Sequence, residues 1–405
     1  MSCGDISEIF DSDIRMLIKN STYYDGRKIV KGDFMNGTSD EEFDASGKFA
    51  FPAFNNGHTH LAMTLMRGAG EGEKLQQWLD NTIFPMEKGL TPDLVFKGSM
   101  LGLLEMIKTG TSNFLDMYYF VEETAKAVNN AGLRATLGTP ITGFGTPYYR
   151  DAEDALHIAE RQLKSMSHGM VRYCVAPHSI YLNDEGTLIE AKALADKYDA
   201  WLSIHVSETR KECADCHKKT NLWPIEYLDS IGLLGENTIL IHAAWLTKME
   251  IKIIADRESS VVHCPVSNMK LASGGVMPLP ELLDAGVTVG LGTDGASSNN
   301  SLDMREEMKI GSLLQKSHRW DATVANAKTM MHMATLGSQD LAFVRLDDVR
   351  MLPHHDLISN LVYSGGVVTD LIVNDRIIMN DRQILTFDEE KVKMEFMDAA
   401  SELIK

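Results

Sequence analysis

The run Phe49-Ala50-Phe51-Pro52-Ala53-Phe54 is apolar throughout, and Gly57-His58-Thr59-His60 follows it after two asparagines. A short apolar run that ends in turn-forming residues is typical of a buried strand. Side chains at i and i+2 of a strand share one face, so His58 and His60 are predicted to project together from its carboxyl end. Two imidazoles on one side can bind one divalent metal. A lone His-x-His pair is also common on protein surfaces, so this interpretation depends on further ligands elsewhere.

Composition narrows the class of protein. The chain has 405 residues, a formal net charge of −18 and 44% hydrophobic residues, and its five cysteines are scattered. The negative charge argues against nucleic acid or an anionic membrane surface as a partner. No apolar stretch reaches the roughly 18 residues that would predict a transmembrane helix, and residues 1–5 do not resemble a signal peptide. We therefore expect a cytoplasmic enzyme without a disulfide framework.

Strand-like runs recur along the chain with helical patterns between them. The runs cover 111–116, 134–140, 171–176, 201–205, 238–242, 260–263 and 287–291, and the helical patterns include 93–108, 121–131, 151–166 and 184–198. With the strand before His58 they make eight strand–helix units, which is the pattern of a closed barrel. We predict an α/β fold whose main domain, residues 52–339, is a distorted (β/α)8 TIM barrel.

Both chain ends are also predicted to form strands. These runs lie at 14–18 and 27–35 before the barrel and at 357–358, 361–363 and 371–373 after it, followed by an amphipathic helical pattern over 388–404. We expect residues 1–51 and 340–405 to form one small composite β-sandwich domain with a C-terminal helix.

Nearly every predicted barrel strand ends in a histidine or an aspartate. These residues are His58, His60, Asp116, His178, His205, His242, His263 and Asp294. Any one of the histidines, taken alone, would more often be a core or capping residue. Their recurrence at the carboxyl ends of the strands, where barrel enzymes build their active sites, predicts one shared site.

The same strand ends supply a complete ligand set for one metal ion per chain. His205 offers a third nitrogen and Asp294 a carboxylate, and three His plus one Asp with an open position are typical of a catalytic site. A bound metal lowers the pKa of its water to about 7, which yields hydroxide at neutral pH. Asp294 can also accept the proton of that water. Glu208 is placed to deliver a proton, and His242 to hydrogen-bond the attacking hydroxide.

In order along the chain, Gly57-His58-Thr59-His60, His205-Val206-Ser207-Glu208, His242 and Gly292-Thr293-Asp294-Gly295 resemble the mononuclear type of the amidohydrolase superfamily. One branch is more similar still, the methylthioadenosine, S-adenosylhomocysteine and 5′-deoxyadenosine deaminases, with triazine chlorohydrolases as near relatives. The motifs behind this closer resemblance lie at 63–68, 78–79, 176–179, 266–272 and 296–300.

The resemblance implies an activity and roles for particular residues. It implies hydrolytic release of ammonia from an adenosine-type nucleoside by a metal-bound hydroxide. The metal would be zinc, or alternatively iron. The implied ligands are His58, His60, His205 and Asp294, the implied catalytic residues are Glu208, His242 and Asp294, and the implied substrate contacts are Glu87 to the ribose, His178 to the purine, and Arg150. We also expect a homo-oligomer, either a dimer or a tetramer.

Departures from the family pattern leave alternatives open. Gly138-Thr139-Pro140 stands where relatives often carry a second Arg, which puts recognition of a carboxylate-bearing substrate such as S-adenosylhomocysteine in doubt. The segment between Thr335 and Pro353 is shorter than usual. The same machinery could act on another aminated or chlorinated ring, such as guanine, a pterin or a triazine. A barrel that serves only as a binding subunit is a further alternative, which the complete residue set disfavours.

Overall fold

A computed structural model describes residues 16–36, 41–73, 75–165 and 169–403. The strands of these residues are β1 Met16–Tyr24, β2 Ile29–Asn36, β3 Glu42–Asp44, β4 Lys48–Pro52, β5 Phe54–Thr59, β6 Thr111–Met117, β7 Arg134–Ile141, β8 Val171–Pro177, β9 Leu202–Val206, β10 Thr238–His242, β11 Ser260–His263, β12 Val289–Leu291, β13 Leu341–Arg345, β14 Val368–Val373, β15 Arg376–Asn380 and β16 Gln383–Ile384.

The α-helices are α1 Leu75–Trp78, α2 Phe84–Glu87, α3 Pro92–Thr109, α4 Val121–Ala131, α5 Ala152–Lys164, α6 Glu185–Lys197, α7 Arg210–Thr220, α8 Pro224–Ser230, α9 Lys248–Asp256, α10 Pro265–Lys270, α11 Leu279–Asp284, α12 Ala296–Asn299, α13 Met304–Arg319, α14 Ala327–Ala334, α15 Leu357–Tyr363 and α16 Glu389–Leu403. A 3₁₀ segment covers Leu61–Met66 and a π-helical turn covers Leu79–Ile83. Within the described residues, no helix is both long and apolar enough to cross a bilayer.

Strands β5 to β12 form the predicted barrel. They lie side by side in chain order, and every neighbouring pair is parallel. The last strand returns to the first, because the Asp294 amide that follows β12 donates to the His58 carbonyl of β5 at 3.0 Å. Helices connect successive strands, as a parallel sheet requires. The predicted α/β barrel is therefore confirmed.

Two glycines allow the barrel to close. A Cβ on Gly292 would lie 2.8 Å from the His58 nitrogen and 3.0 Å from the His58 oxygen. A Cβ on Gly57 would lie 3.0 Å from both the Leu291 oxygen and a methyl of Val262. Only a residue without a side chain lets the first and last strands approach this closely. The first metal-ligand candidate, His58, lies directly on this seam.

Both chain ends join in one second sheet. Its strand order is β16-β15-β14-β13-β4-β1-β2, with β3 also paired to β1, and it contains parallel and antiparallel pairs. Met16, Ile18, Phe343 and Ile372 are fully buried in its core. The small domain built from both chain ends is thus present as a continuous mixed sheet, and α16 is the predicted C-terminal helix. The predicted boundaries of the small domain, at 51/52 and 339/340, stay predictions.

Two local predictions were wrong. The run Phe49–Phe54 is not one strand but belongs to β4 and β5, which separate after Pro52 and enter different sheets. The apolar runs at 357–358 and 361–363 form helix α15, where Asp356 caps the helix by accepting from the Ser359 amide. Short apolar runs fit a buried helix as well as a strand, so spacing alone could not distinguish them. Of the first predicted strand, residues 14 and 15 lie outside the described residues.

Candidate active site

The carboxyl ends of the barrel strands bring three histidines together around one point. The ligand nitrogens of His58, His60 and His205 all lie within 4.8 Å of one another. His58 Nε2 and His205 Nε2 are 3.1 Å apart, and Asp294 Oδ1 lies 3.2 Å from His60 Nε2 and 3.5 Å from His58 Nε2. Atoms that share a metal at about 2.0–2.2 Å are spaced in this way. The residues therefore fit one divalent ion with nitrogen and oxygen ligands.

Backbone carbonyls orient two of these rings. His60 Nδ1 bonds the Met117 oxygen at 2.6 Å, and His205 Nδ1 bonds the His178 oxygen at 2.7 Å. A ring nitrogen held in this way fixes the tautomer and aims the other nitrogen, here Nε2, at the shared point. Met117 is the last residue of β6, and His178 directly follows β8. Neighbouring strands of the barrel therefore align the ligands.

Asp294 is held by the turn that follows β12. It adopts a left-handed conformation with φ of +60°, and its Oδ1 accepts from the Gly295 amide at 2.9 Å. Its Oδ2 accepts from the hydroxyls of Ser267 at 2.6 Å and Ser298 at 3.1 Å. Burial alone would raise the pKa of Asp294, but the hydrogen bonds from His58 and His60 hold it well below its usual range. Asp294 is therefore ionised.

The pKa values of His58 and His60 shift in opposite directions. Burial lowers the pKa of His58 to about 4. Burial also disfavours the charged form of His60, but its bond to Asp294, the Asp294 charge and the Met117 carbonyl outweigh this and raise its pKa to about 9. In the metal-free protein, His60 thus carries a proton at neutral pH. Metal binding would release that proton, because a ligating imidazole is neutral.

Glu208, two residues after β9, and His242, the last residue of β10, lie next to the histidine cluster. Glu208 is 7% exposed, and its Oε2 lies 3.9 Å from His242 Nε2. Ser273 donates to Glu208 Oε1 at 3.4 Å, and the Asn268 amide lies 3.2 Å from His242 Nδ1, on the far side of that ring. Burial raises the pKa of Glu208. A buried carboxyl with a raised pKa can carry a proton at neutral pH, as a general acid must.

A cavity that is partly open to solvent lies in front of these groups. Six aromatic residues are among those that line it, namely Trp78, Phe84, Tyr118, Tyr119, Phe144 and Tyr181. Glu87 and His178 also line it. Tyr118 donates to Glu87 Oε1 at 3.0 Å, and burial raises the pKa of Glu87 to about 7. The cavity is apolar with a few polar groups, which is the usual form of a small-molecule site.

Arg150, Asp116 and His263, all predicted for this site, do not line the cavity. Arg150 is not among the residues that line the cavity, and its side chain is 82% exposed beside Asp154. His263 is buried and also does not line the cavity, and both of its ring nitrogens lack a hydrogen-bond partner among the described residues. Its pKa is lowered to about 3 by burial, so the ring is neutral. The role of Arg150 in substrate binding stays a prediction.

Several supporting residues were not predicted from the sequence. Ser267 and Ser298 bond Asp294, Asn268 bonds His242, and Tyr118 bonds Glu87. The first three lie in the motifs at 266–272 and 296–300, so their positions were visible but their partners were not. Tyr118 follows the Asp116 strand end by two residues, which was its only signal.

Comparison with known proteins places this geometry in context. A model of the amidohydrolase family matches residues 49–341. A 5′-deoxyadenosine deaminase of Methanosphaera stadtmanae is 40% identical over 382 residues, which covers 89% of each chain. A 5-methylthioadenosine/S-adenosylhomocysteine deaminase of Thermococcus kodakarensis is 40% identical over 365 residues, covering 85% of this chain and 86% of that protein.

Among solved structures, an adenosine deaminase of Xanthomonas campestris with bound zinc superposes with a TM-score of 0.92 at 27% identity. The superposition covers 97% of this chain and 99% of that one. The family match includes all eight barrel strands and the four clustered ligand candidates. This chain therefore belongs to the amidohydrolase family.

Proposed function

We propose that this chain is a metal-dependent hydrolytic deaminase of adenosine-type nucleosides. The observation that carries the proposal is the convergence of His58, His60, His205 and Asp294 next to a cavity that Glu208 also lines. Both relatives described above are named as deaminases of adenosine derivatives, and the chain aligns with almost their full length. In the reaction, water adds to the ring carbon that bears the amino group, and the carbon–nitrogen bond then breaks to release ammonia.

The four ligand candidates would hold one ion, for which zinc is the best candidate. Three imidazole nitrogens and one carboxylate form a donor set that zinc commonly takes in catalytic sites. When bound, such an ion lowers the pKa of a water to about 7 and so supplies a nucleophile. Zinc is also the metal named for the Xanthomonas structure. Iron with the same ligands is the alternative.

Glu208 is the proposed proton donor. Burial raises its pKa and so favours the protonated carboxyl, which lies beside His242 and lines the cavity. Protonation of the ring nitrogen next to the attacked carbon makes this carbon more electrophilic. The attacking water supplies two protons: one goes to the amino group, which then leaves as ammonia, and the other restores the Glu208 carboxyl.

His242 and Asp294 complete the proposed proton path. His242 Nε2 faces Glu208, while Asn268 contacts the opposite nitrogen and fixes the ring. Asp294 is ionised and accepts two serine hydroxyls on Oδ2, so Oδ1 remains directed toward His60 and His58. An ionised carboxylate there can accept a proton from the attacking water, and His242 can donate to the oxygen that develops negative charge.

Glu87 is the proposed ribose contact. Its carboxylate is 8% exposed, lines the cavity and accepts from Tyr118 on one oxygen. An ionised carboxylate can accept hydrogen bonds from two hydroxyl groups, and the neighbouring hydroxyls of a ribose are spaced to donate them. A substrate without these hydroxyls would leave a desolvated charge unpaired. Free adenine should therefore be a poor substrate.

The cavity also favours an uncharged 5′ substituent. In the described part of the chain, no Lys or Arg lines the cavity. Thr139, at the position where relatives often carry an Arg, is buried and donates to Gln162 at 3.0 Å instead. An amino-acid carboxylate would thus find no cation among these residues. We infer that 5′-deoxyadenosine, methylthioadenosine and adenosine are better substrates than S-adenosylhomocysteine.

Competition between these four nucleosides, with ammonia release as the readout, tests the proposal. Purified zinc-loaded enzyme should show the lowest kcat/KM with S-adenosylhomocysteine, and adenine should be poorer than any nucleoside. A preference for S-adenosylhomocysteine would contradict the argument from the missing Arg. A protein that is inactive on all nucleosides but turns over guanine, a pterin or a chlorinated triazine would contradict the proposed substrate class.

A further inference from the structure

The turn between β9 and α7 carries Glu208, and its backbone is held by a side chain outside the catalytic cavity. Glu212 is 6% exposed and does not line that cavity. Its Oε1 accepts from the Ser207 amide and its Oε2 from the Glu208 amide, each at 2.9 Å. One carboxylate thus satisfies two consecutive peptide donors that have left the strand and have not entered the helix.

The turn needs this support because its backbone is strained. Ser207 has a φ of +52°, a left-handed backbone conformation that residues other than glycine rarely adopt. Its carbonyl accepts from the Trp245 amide at 3.0 Å, so both of its peptide groups are fixed. Thr209 caps α7 by accepting from the Glu212 amide at 3.1 Å, which fixes the helix that carries the carboxylate. Backbone strain of this kind persists only where surrounding contacts determine the conformation.

We propose that Glu212 is a positioning residue that sets the orientation of Glu208 for proton transfer. This inference rests on the proposed deaminase function and deepens it. The Glu208 amide is one of the two groups that Glu212 binds, and the Glu208 carboxyl must stay beside His242 and the metal ligands to reach the ring nitrogen. Release of the turn would let the carboxyl move by a fraction of an ångström, while His205 stays anchored in strand β9.

Glu250 provides a matched control. It is 1% exposed, and its two oxygens accept from the backbone amides of Ile225 at 3.1 Å and Thr247 at 2.8 Å. It therefore makes the same kind of contact with the first turn of α8 and with the N-cap of α9, neither of which carries a proposed catalytic residue. Glu212→Gln and Glu250→Gln each remove one backbone acceptor and place an amide N–H against a peptide N–H. Their effects on stability should be similar, whereas only Glu212→Gln should affect catalysis.

The experiment compares the two variants as full-length, zinc-loaded proteins. Glu212→Gln should lower kcat for 5′-deoxyadenosine by roughly 10–100-fold, because small misplacements of catalytic groups have effects of that size. Its KM and its zinc content should stay near those of the wild type, and Glu250→Gln should keep the wild-type kcat. In a Glu208→Gln background, Glu212→Gln should have little further effect on kcat, since it acts through Glu208. If Glu212→Gln does not fold, Glu212→Asp, which keeps the carboxyl group but shortens the reach, takes its place.

The outcomes separate this inference from the function on which it rests. Equal kcat losses in the two Glu→Gln variants, loss of zinc from Glu212→Gln, or an undiminished effect in the Glu208→Gln background would each overturn the positioning role. A wild-type protein that is inactive on every nucleoside would instead overturn the proposed function. If the wild type is inactive, amide hydrogen exchange still tests whether Glu212 holds the turn. Exchange at Ser207 and Glu208 must be faster in Glu212→Gln than in Glu250→Gln, and equal rates would refute it.

Discussion

Replacement of Gly292 by alanine tests whether closure of the barrel and assembly of the metal site are one event. The new Cβ would lie 2.8 Å from the His58 nitrogen, 3.0 Å from its oxygen and 2.9 Å from a Val262 methyl, where ordinary contacts begin near 3.4 Å. The backbone atoms of β5 and β12 would have to separate by 0.4–0.6 Å, the difference between these distances. Asp294, two residues on, would move with β12, and His58 with β5.

This displacement exceeds the tolerance of a metal site, in which ligand distances hold to about 0.2 Å. We expect Gly292→Ala to cost ~1–3 kcal/mol of unfolding free energy, the usual range for overpacking. Zinc affinity should fall roughly 10–100-fold, as it does when the groups that orient ligands are disturbed. Denaturant unfolding of the metal-free protein and zinc titration with a competing chelator measure the two effects separately.

Gly290→Ala, in strand β12 just before Gly292, is the control. A Cβ on Gly290 would meet its nearest atom, a Leu336 methyl, at an ordinary 3.6 Å. This variant should therefore bind zinc like the wild type and lose little stability. Equal zinc affinities for the alanine variants of Gly292 and Gly290 would refute the argument that the seam sets the ligand geometry.

Further predictions concern individual groups. Glu208→Gln should keep its zinc and lower kcat by roughly 10²–10⁴-fold. A rate constant near that of the wild type in single-turnover assays would contradict its role. Because the pKa of Glu87 is about 7, kcat/KM for nucleosides should rise as the pH increases through 7 and Glu87 ionises. Glu87→Gln should flatten that rise and lower kcat/KM by roughly 10–100-fold above it, and an unchanged pH profile would count against the ribose contact. The unfolded state binds a proton on His263 below pH 6.5, but the folded state does so only near pH 3. His263 should therefore lower the unfolding free energy by ~2 kcal/mol between pH 6.5 and 5, and His263→Gln should lack this loss when urea unfolding is compared at the two pH values.

The barrel could be predicted because its evidence repeats. Eight apolar runs alternate with helical patterns, and a histidine or aspartate at most of the strand ends marks the same edge of the sheet. The chain ends offered less evidence. The run 357–363 forms a helix although its apolar pairs also fit strands, and its burial against the core decides the matter. The break at Pro52 depends on which sheet each half of the run joins, and local sequence does not contain that information.

The candidate site divides in a similar way. His58, His60, His205 and Asp294 were identifiable because strand ends of a barrel converge, so position along a strand predicts position in space. The residues that hold them, such as Ser267 and Ser298, come from loops whose paths depend on tertiary packing. Arg150 was predicted from a motif position alone, its side chain is exposed beside Asp154, and its role in substrate binding stays a prediction. The expected oligomer and cellular location remain predictions.

A titration of zinc into the metal-free protein, with 5′-deoxyadenosine as substrate, tests most directly whether this chain is a deaminase that uses one metal ion. We expect the rate of ammonia release to rise in proportion to added zinc and to reach its plateau at one equivalent per chain. Activity that does not depend on added metal, a plateau at two equivalents, or no ammonia release at any zinc concentration would contradict this mechanism.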